Sequence, residues 1–401
     1  MIELIMLIPI IILIFWIIYQ IPIAIAAIKI KNINLKVKLS NYKPKFSLII
    51  PAKNEEKVIG RCIQSIIGQD YPKDKIEIIV VDGKSTDNTR KIVEEYMSKN
   101  PGIIKLVKEK DPNGKPKALN LGLKHSTGEI IGVFDADSIL EKDTLNKIAS
   151  QFDKNTIAIQ TRVKSVNKDE NILTSLISIE ENVWYSLILN GRQKLNLFTP
   201  FTGSSLFIKK EILEKLKGWK EDSLAEDIEL SVRMLKNGYE IKYVNDISTW
   251  QEAPNKLKTL FKQRLRWYRG YVETALKYGI LLKNINRKTI DAEIMLIGPI
   301  IMAISLLCYL TGIISLVNPL LATYATPLIY TINTFTIAAI LLVLIYNRPI
   351  TKKKIITAIS IYAYWIIQAT IALKVIVDII LRKPYKWIKT TKTGKVTSIK
   401  I

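Results

Sequence analysis

Apolar residues follow three different patterns along the chain, and each pattern predicts a different kind of segment. Residues 1–28 are almost wholly apolar, with Glu3 as their single charged residue, so they could form a helix that spans a bilayer. From Phe46 to about residue 250, short apolar runs alternate with stretches in which apolar residues recur at helical spacing. Long apolar runs return after Ile290. The pattern predicts a soluble domain held between membrane segments.

Short apolar runs in the first third of the chain predict four β-strands. They cover residues 46–50, 76–81, 103–107 and 130–134. The stretches between them predict helices, one of which covers residues 118–124. Alternating strands and helices are typical of βαβ units, so we expect an α/β fold with a mostly parallel sheet. Ligands bind at the carboxyl ends of such strands, which makes the residues that follow them candidates for a site.

Two acidic residues follow the fourth strand, in the run E-I-I-G-V-F-D-A-D-S-I-L, where one alanine separates Asp135 from Asp137. Two carboxylates at a strand end suit a hard divalent cation, Mg²⁺ or Mn²⁺, which takes further ligands from water and from a substrate diphosphate. An ordinary turn after a strand is the alternative interpretation. Asp82 follows the second strand, and its expected convergence with Asp135 on one sheet edge favours a site.

The formal net charge of the 401-residue chain is +23, which alone would be compatible with nucleic-acid binding. Much of the excess lies beside the apolar runs, for example within residues 29–38, 283–288 and 348–354. Basic residues at such places are typical of membrane topology and of contact with anionic headgroups. We therefore expect a lipid bilayer as a partner and no nucleic acid. Two cysteines and one histidine, His125 at a predicted helix end, exclude a disulfide framework and a zinc site built from them.

A second kind of membrane contact is predicted over residues 255–278, where apolar positions at helical spacing are surrounded by lysine and arginine. A basic amphipathic helix of this kind usually lies on a membrane surface. Gln263, Arg266 and Trp267 fall at i, i+3 and i+4, so they share one face of the helix. Ordinary interfacial anchoring is the alternative role for Arg266 and Trp267.

Three apolar runs near the C-terminus predict membrane spans at residues 290–317, 327–346 and 355–373. With the soluble domain inside, three crossings would place the lysine-rich tail, residues 382–401, outside the cell. That arrangement opposes the positive-inside rule. Either one segment is re-entrant or the tail is external.

Several motifs occur in an order and spacing that resemble a known family. They read F-S-L-I-I-P-A-K-N-E-E, I-I-V-V-D-G-K-S-T-D-N-T, G-K-P-K-A-L-N and F-D-A-D, followed by T-G-S-S, A-E-D and Q-R-L-R-W. These residues, from Phe46 to Tyr271, resemble membrane-bound family 2 glycosyltransferases of the GT-A fold. The branch is that of hyaluronan, chitin, cellulose and poly-N-acetylglucosamine synthases. Ala225 departs from that branch, which often has threonine before the Glu-Asp pair.

The resemblance implies roles for individual residues. Asp227 is expected to be the general base that takes a proton from the acceptor hydroxyl, with Glu226 and Arg266 as further catalytic residues. A favourable effect of two acids on a helix N-terminus is the alternative role for Glu226 and Asp227. Asp137 is the expected first metal ligand, with Asp135 nearer the ribose and diphosphate. Lys117, at a predicted helix start, would meet the diphosphate. The expected donor-binding residues are Pro51, Asn54, Glu55, Asp82, Lys117, Asp135 and Gln263. The expected acceptor-binding residues are Ser204 and Trp267.

These interpretations predict an inverting, metal-dependent glycosyltransferase that moves a sugar from a nucleotide-sugar donor, a UDP-sugar by resemblance, to a growing β-linked polysaccharide. Single transfer to a membrane lipid of the ceramide or polyprenol type is the alternative. A non-catalytic scaffold is disfavoured because the acidic residues and Arg266 are intact. We expect a multi-pass protein of the cell membrane with a cytoplasmic catalytic domain. The expected segments are a transmembrane helix, a basic linker, a GT-A domain, interface helices, a transmembrane bundle and a basic tail, at residues 1–28, 29–45, 46–252, 253–289, 290–381 and 382–401.

Overall fold

The computed structural model describes residues 2–28, 42–279, 285–315, 352–385 and 389–395. The strands of these residues are β1 Phe46–Ala52, β2 Ile76–Asp82, β3 Ile104–Lys108, β4 Ile130–Val133, β5 Ile139–Leu140, β6 Ala158–Ser165, β7 Leu206–Lys209 and β8 Lys242–Gln251. They form one eight-stranded sheet in the order β3-β2-β1-β4-β7-β6-β8-β5. The first four strands in the chain are parallel, as predicted. In the other half, β7 runs antiparallel to β4 and β6, and β5 runs antiparallel to β8.

The helices of the described residues are α1 Ile2–Ile28, α2 Ile59–Ile67, α3 Thr89–Lys99, α4 Gly114–His125, α5 Thr144–Ala149, α6 Ile172–Asn182, α7 Asn190–Lys194, α8 Lys210–Lys215, α9 Glu226–Lys236, α10 Leu257–Tyr278, α11 Arg287–Leu296, α12 Gly298–Ser315 and α13 Lys352–Ile380. A π-helical segment, Val183–Leu189, joins α6 to α7. The predicted start of α4 at Ala118 is too late, because the helix begins at Gly114. Pro116 is compatible with this earlier start, since the first turn of a helix leaves its N–H groups unpaired anyway.

Alternating residues of the central strands pack on opposite faces of the sheet. Leu48 and Ile50 belong to one buried cluster, which α2, α3 and α5 cover. Ile49 belongs to a second cluster, which α4, α8 and α9 cover. With both faces buried, the strand register is fixed, and Ala52 pairs with Asp82 at the carboxyl edge. The same register places the end of β4, and so the residues that follow it, at that edge.

Three helical stretches among the described residues are long and apolar enough to span a membrane: Ile11–Ile28, Ile172–Lys194 and Ile355–Ile380. The second stretch runs through α6, the π-helical segment and α7, and it connects β6 to β7. Those two strands are hydrogen-bonded neighbours in one sheet. A single crossing between them would put them on opposite sides of the bilayer, so this stretch does not span. It lies along the surface of the soluble domain.

The predicted C-terminal spans have different outcomes. The span expected at residues 290–317 is broken into α11 and α12, whose axes are bent by 44°. The span expected at 355–373 lies within α13. The one expected at 327–346 lies outside the described residues.

The tail residues 389–395 lie against the soluble domain. Lys389 Nζ is 2.8 Å from Glu55 Oε1, and Lys392 Nζ is 2.8 Å from Asp137 Oδ2. A segment that touches the carboxyl edge of the sheet is on the same side of any bilayer as the sheet. The contact disfavours an external tail, and the bent pair of α11 and α12 is compatible with a re-entrant segment.

A buried polar cluster holds the first helix against the soluble domain. The Tyr19 hydroxyl donates to Asp291, and the Arg192 guanidinium pairs with the same carboxylate. Gly191 allows α1 to come close, because a Cβ at this position would lie 2.0 Å from the carbonyl oxygen of Ile23. Helix α1 and the sheet domain are thus one packed unit.

Candidate active site

The two aspartates after β4 are held at the sheet edge by neighbouring loops. The backbone N–H of Asp135 donates to Ser204 Oγ at 3.1 Å, and Asp137 Oδ2 accepts from the backbone N–H of Glu252 at 2.8 Å. Asp137 is 2% exposed. Asp135 is half-buried and open to the adjoining cavity. Both carboxylates therefore have fixed positions where the strand ends.

Lys115 is the cation at the centre of this cluster. Its ammonium lies 2.6 Å from Asp135 Oδ1, 2.7 Å from the Gly203 carbonyl oxygen and 3.5 Å from Glu226 Oε1. Burial alone would lower the pKa of Lys115, but Asp135 and Glu226 raise it above its usual value. Burial likewise works to raise the pKa of Asp135, and Lys115 more than offsets this and leaves it below the usual value. The pair therefore stays ionised.

The predicted diphosphate ligand, Lys117, lies elsewhere. Its ammonium pairs with the exposed Asp111 at 3.2 Å and is not among the side chains that line the cavity. The motif G-K-P-K contains both lysines, and the early start of α4 decides which one faces the sheet edge. The sequence contains the motif, but the motif alone does not show which lysine faces the sheet edge. That depends on the residue at which α4 begins.

The T-G-S-S loop supports the cluster from the other side. Gly203 has φ of 83°, a conformation that favours glycine, and a Cβ there would lie 3.3 Å from Asp227 Oδ2. Ser205 also has a positive φ, 55°, and such strain in a non-glycine residue is typical of functional loops. The predicted acceptor contact at Ser204 is not supported, because this residue is 2% exposed and its hydroxyl is occupied by Asp135 and Gln251.

Glu226 and Asp227 form the first turn of α9, as predicted. Burial and the neighbouring charge of Glu226 raise the pKa of Asp227 to about 7, although Lys115 opposes the shift. A carboxylate with this pKa is suited to accept a proton near neutral pH. Ala225, which departs from the resembled branch, packs against Gly270 of α10, where a Cβ would lie 2.4 Å from the Ala225 Cβ. A small residue at position 225 therefore fits the close approach of α10.

The face of α10 that carries Gln263, Arg266 and Trp267 lines the same cavity. Arg266 donates to the Leu224 carbonyl oxygen at 3.2 Å. Its charge favours the ionised form of Asp135 and opposes the burial that raises the pKa of Asp227. The guanidinium of Arg264 lies 4.3 Å from the centre of the Trp267 ring. The predicted face is thus brought to the acidic cluster.

The predicted nucleotide-binding residues divide into two groups. Pro51 and Glu55 line the cavity. Asp82 is fully buried and paired with Arg90 at 2.5 Å, so it supports the loop and does not lie on the cavity wall. Asn54, with φ of 55°, accepts a hydrogen bond from the backbone N–H of Thr86 at 2.7 Å and joins two loops.

The C-terminal tail adds two lysines that sequence reasoning missed as site residues. Lys389 donates to the carbonyl oxygens of Lys53 and Asn54 at 2.5 and 2.6 Å. Lys392 donates to the carbonyl oxygen of Glu252 at 2.8 Å besides pairing with Asp137. Burial works to lower the pKa of Lys392, but Asp137 raises it overall. The run of tail lysines carried no signal for these contacts, because the tail is remote in sequence from Asp137.

A cavity of about 2400 Å³ contains the cluster. Its lining residues include Pro51, Asp135, Asp137, Asp227 and Trp267. Pockets for small ligands are typically about 300–1,000 Å³. The cavity is therefore large enough for a donor and an acceptor together.

The sheet order and the acidic cluster at its carboxyl edge define a glycosyltransferase of the GT-A fold. A family model described as glycosyltransferase-like family 2 matches residues 44–270, more than half of the chain. The chain belongs to this family, which confirms the family and fold predicted from the motifs.

Relatives of known name make both polysaccharides and glycolipids. The chain is 36% identical over 252 residues to the probable glycosyltransferase YdaM of Bacillus subtilis, covering 62% of this chain and 60% of the relative. It is 29% identical over 256 residues to a beta-monoglucosyldiacylglycerol synthase of Nostoc sp., covering 62% and 54%. It is 26% identical over 391 residues to a poly-beta-1,6-N-acetyl-D-glucosamine synthase of Staphylococcus epidermidis, covering 94% and 93%. The chain thus spans less than two thirds of the first two relatives.

A solved structure has the same fold over nearly the whole chain. It is the mannosyltransferase PcManGT from Pyrobaculum calidifontis in complex with GDP-Man and Mn²⁺, with a TM-score of 0.63 and 22% identity. The match covers 92% of this chain and 95% of that one. At this identity the likeness shows the fold alone.

Replacing Lys115 by methionine removes the charge that links Asp135 to Glu226. We expect turnover to fall by at least about 10²-fold, as for other preorganised charge-stabilising groups. Lys117→Met is the matched control, and its turnover is expected to stay close to wild type because an exposed pair contributes little. Nucleotide release from the donor measures both. Equal losses in the two variants would contradict the central role of Lys115.

Proposed function

We propose that this protein is an inverting, metal-dependent hexosyltransferase that uses a nucleotide-sugar donor and an acceptor presented at the membrane. The proposal rests on one observation: the carboxylate of Asp227 lies close to the ammonium of Lys115, beside the two aspartates at the end of β4. In the proposal, Asp227, Glu226 and Arg266 are catalytic. The donor site comprises Pro51, Glu55, Asp135 and Gln263, with Asp82 and Asn54 shaping its loops.

The position of Asp227 supports a single displacement. One carboxylate oxygen takes the proton of the acceptor hydroxyl as that oxygen attacks the anomeric carbon, and the nucleoside diphosphate leaves from the opposite face. One displacement inverts the configuration at that carbon. Trp267 offers a flat apolar surface for the acceptor sugar, next to the base.

The leaving diphosphate needs positive charge around it. Lys115 and Arg266 supply two such charges from the chain. A divalent cation at Asp137 and Asp135 would neutralise further charge on the diphosphate. Within the described residues no group of three or more His, Cys, Asp or Glu could hold a metal. A cation held by Asp135 and Asp137 would take its remaining ligands from diphosphate and water. The ammonium of Lys392 on Asp137 indicates that this carboxylate accepts a cation.

The proposal also specifies the nucleotide of the donor and the kind of acceptor. A UDP-sugar is supported by the motif resemblance. Extension of a β-linked polysaccharide is supported by Trp267 and by the match along 93% of a poly-N-acetylglucosamine synthase. Transfer to a lipid is supported by the apolar residues of α1 that line the same cavity. Both acceptors would place the protein in a cell membrane with the site on the cytoplasmic side.

Asp137→Asn removes one charged oxygen from the proposed cation site while keeping its shape. Transfer should be nearly abolished, and EDTA should abolish transfer by the wild type, since the diphosphate then departs without its counter-charge. Circular dichroism checks that the variant folds. Full transfer in EDTA would contradict the metal-dependent mechanism.

Lys392→Met should strengthen metal binding in the absence of donor, because the ammonium that pairs with Asp137 is removed. We expect the affinity for Mn²⁺ to rise by about tenfold, the size of effect that one close opposite charge has on a carboxylate. Calorimetric titration measures it, and Lys389→Met, which removes the pair with Glu55, is the control. An unchanged affinity in Lys392→Met would show that the ammonium does not compete with the cation.

The raised pKa of Asp227 predicts a pH dependence. As the pH falls through about 7, Asp227 becomes protonated and cannot accept the hydroxyl proton, so kcat should fall. Asp227→Asn should lower kcat by about 10²-fold or more and leave donor affinity near wild type. Burial also raises the pKa of Glu55 to about 7, so Glu55→Gln is the control. If Glu55→Gln no longer shows the fall of kcat at low pH, the group that titrates is Glu55 and not Asp227.

A further inference from the structure

The carboxyl edge of the sheet carries a further carboxylate at the end of β3. Glu109 directly follows this strand, and its backbone N–H donates to the carbonyl oxygen of Asp82 at 3.0 Å. Its side chain lines the same cavity as Asp135, together with Lys53 and Gly83. Two strands, β2 and β1, separate β3 from β4. At about 4.8 Å per strand, the end of β3 is about 14 Å from the end of β4, a distance that an extended nucleoside diphosphate can span.

The residue that the motifs predicted for the nucleobase, Asp82, is not available for this contact. Its carboxylate is fully buried, pairs with Arg90 at 2.5 Å and accepts from the backbone N–H of Ser85 at 3.1 Å. Asp82 is also not among the residues that line the cavity. A nucleobase at this end of the cavity therefore has to meet another acceptor.

Glu109 presents one carboxylate oxygen at this end of the cavity. The residue is 7% exposed, and its carboxylate makes no hydrogen bond or ion pair within the part of the chain that the structure describes. Oε1 is enclosed, so Oε2 is the oxygen that can meet an occupant. It faces Gly83, where a Cβ would lie 3.2 Å from it. Burial raises the pKa of Glu109, and the charges of Lys117 and Lys53 oppose the shift.

A carboxylate accepts hydrogen bonds and cannot donate them, so it distinguishes nucleobases at one ring position. Uracil and guanine carry a ring N–H beside a carbonyl on their pairing edge. Cytosine and adenine carry a bare ring nitrogen at that place, which is itself an acceptor and would leave the buried carboxylate unpaired. Lys53, whose charge reaches Glu109, can donate to the neighbouring carbonyl. The two side chains together complement an N–H beside a carbonyl.

We propose that Glu109 selects the nucleobase of the donor. Its Oε2 accepts from the ring N–H of uracil or guanine, and Lys53 donates to the carbonyl beside that N–H. The inference rests on the proposed use of a nucleotide-sugar donor, and it gives Glu109 the contact that the motifs predicted for Asp82. Donors that carry cytosine or adenine are excluded.

Binding of nucleoside diphosphates to the full-length wild type tests the inference without a substitution. Calorimetry with Mn²⁺ compares UDP with CDP and GDP with ADP, at a mildly alkaline pH that keeps Glu109 ionised. We expect UDP or GDP to bind at least about tenfold more tightly than its partner, because the wrong base leaves the carboxylate unpaired. The pair that shows the preference distinguishes uracil from guanine. Equal affinities within both pairs would overturn the inference.

A methylated ligand removes the one hydrogen atom that the inference depends on. The preferred diphosphate, methylated at its ring N–H, should bind the wild type at least about tenfold more weakly than its parent, since it no longer donates to the buried carboxylate. Unchanged affinity for the methylated diphosphate would overturn the inference.

The variant Glu109→Gln separates base selection from a structural role. A glutamine amide can donate as well as accept, so the folded variant should bind the disfavoured diphosphate more tightly than the wild type does, and the preference should be largely lost. Glu94→Gln, on α3 and outside the cavity wall, is the control and should keep the wild-type preference.

The outcomes separate this inference from the function on which it rests. A preference that is retained in Glu109→Gln, or that is lost in Asp82→Asn instead, would overturn the inference alone. If the wild type binds none of the four diphosphates, the proposed function fails as well.

Discussion

The ion pair between Lys115 and Asp135 is the contact on which the rest of the site depends. Charges that leave water must be paired, and here one lysine is surrounded by the carboxylates of Asp135, Glu226 and Asp227. Arg266 adds a second positive charge nearby. Three acids against these two cations leave residual negative potential. Burial, together with the neighbouring charge of Glu226, raises the pKa of Asp227, and the residual negative potential would attract the cation that the proposed reaction requires.

The tail supplies the same kind of balance at the neighbouring carboxylates. Lys392 pairs with Asp137 and Lys389 with Glu55, so the chain itself neutralises these two carboxylates. A divalent cation and the Lys392 ammonium cannot occupy the same side of Asp137 Oδ2. Binding of the donor with its cation would therefore require this part of the tail to move. The position of residues 389–395 would then depend on whether the donor and its cation are bound.

The sequence predicted the sheet edge well, because strand patterns fix which residues follow the strands and parallel strands end together. Asp135 and Asp137 were identified in this way, whereas Asp227, at the start of α9, was named from the resemblance of the A-E-D motif. It did not distinguish Lys115 from Lys117, since that choice depends on where α4 begins. Ser204 was predicted to meet the acceptor, but a motif does not reveal that its hydroxyl supports Asp135. The contact of Lys392 with Asp137 was missed because it joins residues more than 250 positions apart, and no local pattern records it.

The geometry of the cavity wall at Trp267 also depends on α13. Arg264, which stacks on Trp267, pairs with Glu180 at 2.6 Å, and Tyr364 of α13 donates to the same carboxylate at 2.6 Å. Tyr268 of α10 donates to Gln368 of α13 at 2.8 Å. Buried networks of this kind keep their members in one arrangement. A displacement of α13 would therefore move the cavity wall that includes Trp267, while the sheet edge that holds Asp135 and Asp137 would stay in place.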